Sequence, residues 1–283
     1  MKSSAFTLET RYASHPEDVS AYDTLRLRSH FHHPPLMQAG KGVLVYTHYD
    51  RFVFGGICPE QEPLVLPAFG ELKSEYFLQR REAGILNVGG KGKVQVDGVD
   101  YILEHRELLY AGKGSRELIF HSEDPAQPAR FYINSAPANQ SFPTVKAGLK
   151  DANRVDLGSK QNCNERTIYQ FIHENGIQSC QLVMGFTQMA PGSIWNTFPP
   201  HVHDRRMEVY FYFDLPQDQV VMHFMGKPQE TRHLVVRNEE AVISPPWSVH
   251  AGAGSTNYQF VWGMAGENKA FTDMDAAPLN TLL

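Results

Sequence analysis

Apolar and polar positions alternate in short runs along this chain, separated by turn signals. The first set lies at Gly42–Tyr49, Arg51–Ile57, Ile85–Val88, Lys93–Val96, Tyr101–Leu103, Leu118–His121 and Phe131–Asn134. A second follows at Ile168–Ile172, Ser179–Gln188, Glu208–Phe213, Gln219–Phe224, Thr231–Val236, Ala241–Ser244 and Gln259–Met264. Strand side chains point to opposite faces in turn, so this period predicts strands laid against a core. Many short strands at regular spacing predict an all-β barrel or jelly roll. Val96-Asp97-Gly98-Val99 predicts a tight hairpin, because Asp-Gly supplies the positive φ angles of a primed turn. Helical periodicity is weak, and short helices are expected only near Pro16–His30 and at the C-terminus.

The polar, turn-rich stretch Ala136–Asn164 reads as a linker between two β modules. The expected division is 1–150, an N-terminal arm and a first barrel, and 151–283, a second barrel. The two halves echo each other. Phe77 to Glu82 resembles Asp204 to Glu208, and Glu107 to Arg116 resembles Glu240 to His250, with Arg116 opposite His250. The first half has no His-x-His, so only the second barrel is expected to carry a metal.

Within the second half, His201-Val202-His203-Asp204-Arg205-Arg206-Met207-Glu208 is followed about forty residues later by Pro-Pro-Trp-Ser-Val-His250. His-x-His on a strand puts both imidazoles on one face. A short turn from Asp204 to Arg206 lets Glu208 return on the neighbouring strand, and His250 closes the set from a more distant one. Three nitrogens and one oxygen suit a borderline divalent metal such as zinc, and also iron, manganese or nickel. If Glu208 points inward, Tyr210 and Tyr212 share its face, while Met207, Val209 and Phe211 take the other, which is apolar and must be covered. Arg205 and Arg206 stand at the rim, where a guanidinium matches a substrate carboxylate.

Composition narrows the rest. A 283-residue chain with 42% hydrophobic residues can bury a sizeable core, and its net charge of −5 argues against a nucleic-acid partner. No apolar run reaches membrane-spanning length, and the first residues lack the apolar core of a signal peptide, so a cytoplasmic protein is expected. Cys58, Cys163 and Cys180 are odd in number and scattered, which suits buried small hydrophobes in a reducing compartment. The Gly89–Lys93 and Gly112–Ser115 stretches do not fit a phosphate loop and are expected to be strand-connecting turns. His30, His32 and His33 have no carboxylate following at ligand spacing and are expected on a solvated or interface-forming arm.

The segments FLQRREAGILNVGGKG, VDGVDY, LLYAGKGSRE, HVHDRRMEVYFYF, GKPQETRH, AVISPPWSVHAG and VWGMAGEN together resemble the 5-keto-4-deoxyuronate isomerase family over nearly the whole chain after the first forty residues. The resemblance implies two cupin-type jelly-roll barrels with short peripheral helices. It implies one zinc ion per chain in the C-terminal barrel, held by His201, His203, Glu208 and His250. It further implies a homohexamer and a small keto-deoxyuronate substrate derived from pectin or another uronate polymer. The implied activity is aldose–ketose isomerisation of 5-dehydro-4-deoxy-D-glucuronate to 3-deoxy-D-glycero-2,5-hexodiulosonate. Such a reaction needs a group to carry a proton between adjacent carbons; His223, Glu230 and Tyr210 are the unranked candidates. Trp247 stands where a broader cupin pattern has glycine before the distal histidine, which matches the isomerases. Other bicupins share the ligand set: a 5-deoxyglucuronate isomerase of inositol breakdown, separable by substrate, and an iron-dependent dioxygenase, separable by metal and oxygen uptake.

Overall fold

The computed structural model describes residues 5–283. Two compact units can be traced. The described part of the first comprises 5–11, Leu36–Ala152 and Phe171–Met184; the second comprises Tyr12–Pro35, Asn153–Gln170 and Gly185–Leu283.

In the first unit a seven-stranded sheet runs in the order Phe6–Arg11, Lys41–Thr47, Val53–Cys58, Phe131–Pro137, Arg81–Asn87, Leu108–Ala111, Val145–Ala147. A four-stranded sheet runs Leu64–Val65, Leu118–Ser122, Gly92–Val96, Val99–Leu103. One buried cluster draws on both sheets, with Val53, Ile85, Leu109 and Ile133 from the larger and Val94, Leu103, Leu118 and Phe120 from the smaller. The core is therefore the space between two sheets whose inward faces are apolar, as in a jelly roll.

The second unit repeats the plan. Its seven-stranded sheet runs Asn153–Leu157, Arg166–Ile172, Val183–Met189, Gln259–Gly266, Arg206–Phe213, Ala241–Ser244, His32–His33. Its four-stranded sheet runs Trp195–Asn196, Ala251–Gly254, Val221–Lys227, Glu230–Val236. From the second to the sixth strand of each larger sheet, and throughout the smaller sheets, the chain visits corresponding places in the same sequence, so the faint echo between the halves is a repeated architecture. The fold is all-β, with the helices Pro16–Val19 and Thr24–Phe31 at the periphery.

Local rules account for much of this. Asp97 and Gly98 take φ of 49° and 82°, and Val96 pairs with Val99 across the expected hairpin. Gly185 lets a tryptophan from the adjacent strand cross it, since a Cβ there would lie 2.4 Å from the Trp262 ring.

Several expectations are corrected by long-range bonding. Ser179–Gln188 is strand only from Val183. The backbone N–H groups of Cys180, Gln181 and Leu182 instead each donate to the buried Glu82 carboxylate at 2.8 Å, which holds that segment out of the ladder. The linker holds the edge strands Val145–Ala147 and Asn153–Leu157. At the C-terminus only a single 3-10 turn forms, at Leu279–Thr281. Of the cysteines only Cys58 is buried; Cys163 is exposed after a 3-10 turn and Cys180 is intermediate.

The histidine tract is not a solvated arm. His32–His33 pairs antiparallel with Ala241–Ser244 and closes the edge of the second unit's larger sheet. His32 Nε2 lies 2.8 Å from the Glu240 carboxylate, His33 Nδ1–H donates to the Pro34 carbonyl, and Phe31 packs edge-on against Trp247.

Candidate metal centre

The strand Arg206–Phe213 is buried on both faces. Its period turns Arg206, Glu208 and Tyr210 toward a cavity of about 250 Å³ in the second unit, while Met207, Val209 and Phe211 are buried on the other face within the single chain. Glu208 pairs across to Ser244 and Met264.

His201 and His203 reach the same cavity from a different element. His201–Val202 pairs with Asp275–Ala276 in a separate two-stranded sheet, so it is not the hairpin partner of the Glu208 strand. The expected turn is present, closed by the Arg206 N–H donating to the His203 carbonyl at 3.0 Å. His250 arrives from a second turn, closed by the Ser248 N–H on the Pro245 carbonyl, and immediately precedes the strand Ala251–Gly254.

The four side chains converge. The ligating nitrogens of His201, His203 and His250 lie within 4.8 Å of one another. His250 Nε2 is 3.0 Å from His201 Nε2 and 3.1 Å from Glu208 Oε2, and His203 Nε2 is 3.4 Å from the same oxygen. Carbonyls can only accept, so His203 Nδ1–H donates to Arg206 O (2.9 Å) and His250 Nδ1–H to Ser248 O (3.2 Å). Both rings thereby keep their Nε2 lone pairs for the centre of the cluster.

Electrostatics favour neutral rings, which a cation needs, at His201 and His250. Burial pushes the His201 pKa down to about 4, with the charges of His203 and Arg206 adding to it. Burial, then His201 and His203, pushes His250 well below the ordinary range. At His203 burial acts downward, but the Glu208 carboxylate overrides it and the net shift is upward. His203 Nε2 is buried without a hydrogen-bond partner. Three convergent imidazoles and one carboxylate, with an orphaned nitrogen among them, fit a divalent cation. Among the described residues, no other group of three potential ligands is drawn this close together.

The cavity wall also carries Tyr210, Arg206, Arg166, Thr187 and Thr197 as polar groups, with Phe260, Trp262, Phe271 and Met274 among its apolar ones. The Tyr210 hydroxyl lies 2.9 Å from Thr197 Oγ1, and burial raises its pKa well above the ordinary phenol value. Arg206 is only 1% exposed; its Nη2 donates to the Asp273 carbonyl at 2.9 Å.

Other expected residues fall elsewhere. Arg205 is held by the carboxylates of Asp273 and Asp275 and does not line the cavity. His223 is wholly buried behind the wall, its ring 5.3 Å from that of Tyr210 and its Nδ1 2.8 Å from the Tyr212 hydroxyl. Burial lowers its pKa to about 3, so it is neutral. Glu230 is exposed at the start of its strand and borders a separate small hollow with Arg232 and Trp247.

Arg166, Thr197 and Asp273 were not singled out from the sequence. Arg166 had a signal: it opens an alternating strand, and Ile168, two residues on, also lines the cavity. Asp273 had none, since it lies in an irregular tail.

Register explains why the first unit holds no equivalent set. Arg81 begins its strand as Arg206 does, and the residue two further on is Ala83, paired with Ala111 as Glu208 is with Ser244. Glu82 therefore faces the opposite way. Its oxygens accept from the Tyr110 hydroxyl as well as from the three backbone amides. The residue immediately before Leu118–Ser122 is Glu117, one place on from the Arg116 matched to His250, and both are exposed.

Comparisons with known proteins agree with this architecture. The sequence profile of the KduI/IolB family matches residues 31–279. A 4-deoxy-L-threo-5-hexosulose-uronate ketol-isomerase of Halalkalibacterium halodurans is 54% identical over 97% of this chain and 100% of its own length. One of the same name from Formosa agariphila is 53% identical over 97% of this chain and 98% of its own. Among solved structures, an IolB-like protein of Salmonella typhimurium superposes with a TM-score of 0.64 at 16% identity, covering 77% of this chain and 84% of that one.

Proposed function

The chain belongs to the KduI/IolB family, and we infer from that membership and from its cavity that it is a 4-deoxy-L-threo-5-hexosulose-uronate ketol-isomerase. It converts 5-dehydro-4-deoxy-D-glucuronate to 3-deoxy-D-glycero-2,5-hexodiulosonate. The observation that carries the reading is the convergence of His201, His203, His250 and Glu208 on a cavity of about 250 Å³, large enough for a hexuronate. The curated relatives at about half identity bear the ketol-isomerase name, which favours it over 5-deoxyglucuronate isomerisation.

The reaction turns an aldehyde beside a hydroxyl into a ketone beside a primary alcohol. One proton leaves the hydroxyl-bearing carbon and one is delivered to its neighbour, with a compensating shift between the two oxygens. No external oxidant or reductant enters. A zinc ion held by His201, His203, Glu208 and His250 would supply Lewis-acid stabilisation of the negative charge that develops on those oxygens. The chain itself does the rest. Arg206 O and Ser248 O orient two of the imidazoles. Arg206, two residues before Glu208 on the same strand, holds a guanidinium within reach of that carboxylate's charge. Tyr210, of the three candidate proton carriers, is the one on the cavity wall, and its raised pKa keeps the hydroxyl protonated, ready to donate to a developing alkoxide. Phe260, Trp262, Phe271 and Met274 exclude water from a reactive enediolate.

We place the protein in the breakdown of pectin or related uronate polymers, in the cytoplasm and as a homo-oligomer, a hexamer by resemblance. Among the described residues no helix is long and apolar enough to cross a membrane. The test is purified protein assayed with the keto-deoxyuronate and, separately, with 5-deoxyglucuronate, alongside elemental analysis. Turnover of the first with about one zinc per chain supports the assignment. Turnover of only the second, or oxygen consumption, refutes it.

A further inference from the structure

A uronate carries its carboxylate at the end away from the reacting aldehyde, so the cavity needs a group to meet that charge. Its wall offers two guanidiniums, Arg166 and Arg206. Arg206 is poorly placed for the task. Its Nη2 is committed to the Asp273 carbonyl, and its Nε and Nη1, although without hydrogen-bond partners, have almost no accessible surface. It also sits two residues from Glu208 on one strand, about 7 Å between backbones, at the reacting end. Arg205, with its two carboxylate partners, lies off the wall.

Arg166 differs in exposure and in position. It is half-buried, it uses Nη1 for the Asn164 carbonyl at 2.9 Å, and among the described residues no carboxylate pairs with it. Two strands, Val183–Met189 and Gln259–Gly266, separate its strand from that of Glu208. Three strand spacings are about 14 Å in a flat sheet, and the two side chains span part of that gap. What remains between the donor set and the guanidinium suits an extended six-carbon chain. Burial lowers the pKa of Arg166 as it does that of Arg206, but the carboxylates of Glu208 and Asp273 act on Arg206 while no carboxylate acts on Arg166. A carboxylate arriving there gains a charge-assisted, bidentate partner at little further desolvation cost to the arginine.

We propose that Arg166 receives the substrate carboxylate and makes the cavity select uronates over neutral aldoses. The inference rests on the ketol-isomerase reading for the identity of the substrate, but selection for the carboxylate can be measured without turnover. The experiment titrates D-glucuronate and D-glucose, by calorimetry, into zinc-loaded wild type, Arg166→Gln and Arg166→Lys, with melting temperature and metal content as folding controls. Wild type should prefer glucuronate. Arg166→Gln should weaken glucuronate binding roughly 10- to 100-fold and leave glucose unchanged, with Arg166→Lys intermediate. With the keto-deoxyuronate, Arg166→Gln should raise KM by a similar factor and change kcat much less. Equal binding of glucuronate by wild type and a folded variant, or equal loss of both sugars, overturns the proposal. If Arg166→Gln does not fold, Arg166→Lys with wild-type affinity for glucuronate overturns it. Intact carboxylate selection without turnover of the keto-deoxyuronate would refute the ketol-isomerase reading alone.

Discussion

Replacing Tyr210 by phenylalanine removes one hydroxyl from the cavity wall and leaves the ring, which stacks on Phe260 with centroids 4.8 Å apart. The stability cost should be small. The lost hydrogen bond to Thr197 Oγ1 (2.9 Å) is worth about 0.5–1.5 kcal/mol net. For units of this size that lowers the melting temperature by roughly 2–4 °C per kcal/mol. The catalytic cost should be far larger if the hydroxyl donates to the developing alkoxide. Positioned proton transfer contributes roughly 10²- to 10⁴-fold, or about 2.7–5.4 kcal/mol of barrier at 1.36 kcal/mol per decade. The donor set does not include Tyr210, so metal content should stay near one per chain. The assay compares kcat, KM, zinc content and melting temperature of the Tyr210→Phe protein with wild type. A fall in kcat of at least a hundredfold with intact metal and a shift of a few degrees is expected. A kcat within about threefold of wild type would refute the assignment of Tyr210 as proton donor, and loss of zinc would show that it acts on the metal set instead.

Glu208→Gln removes the one anionic donor from the cluster, so zinc affinity and turnover should fall together, and competition with a chelator would show it; unchanged affinity would contradict the ligand role. Glu82→Ala leaves the Tyr110 hydroxyl and the amides of Cys180, Gln181 and Leu182 without their shared acceptor, which should cost upward of about 4 kcal/mol in denaturant titration, and a loss under about 1 kcal/mol would contradict the clamp. Burial acts to raise the Glu240 pKa, but the hydrogen bonds from His32 and from the Arg237 N–H override it and hold the folded value below the ordinary 4.5. Glu240 therefore contributes stability that is fully present above pH 4.5 and is lost as the pH falls through the lower folded value. Glu240→Gln should be less stable than wild type at neutral pH, with the gap closing in acid, and a gap that widens in acid would contradict the sign.

The all-β class, the Asp97-Gly98 hairpin and the donors His201, His203, Glu208 and His250 were legible in the amino-acid order. Each rests on a rule of short range. Strand period sets which side chains share a face, positive φ favours Asp-Gly, and His-x-His aligns two imidazoles on one extended segment. The same period separates Tyr210 from neighbours that face the other way. It could not say that Ala83, and not Glu82, stands where Glu208 does, because that follows from the register against Ala111 and Ser244. Nor could it retire Arg205, whose partners are Asp273, in an irregular segment, and Asp275, on a two-residue strand with no sequence signal, or place Glu230 outside the cavity. The His32 tract read as a solvated or interface-forming arm because its acceptor, Glu240, lies 208 residues away. Alternation puts Arg166 on the face of Ile168, but only the order of four strands in one sheet brings that face to the site. Alternation records which way a side chain faces, and only the pairing of distant strands determines what it meets there.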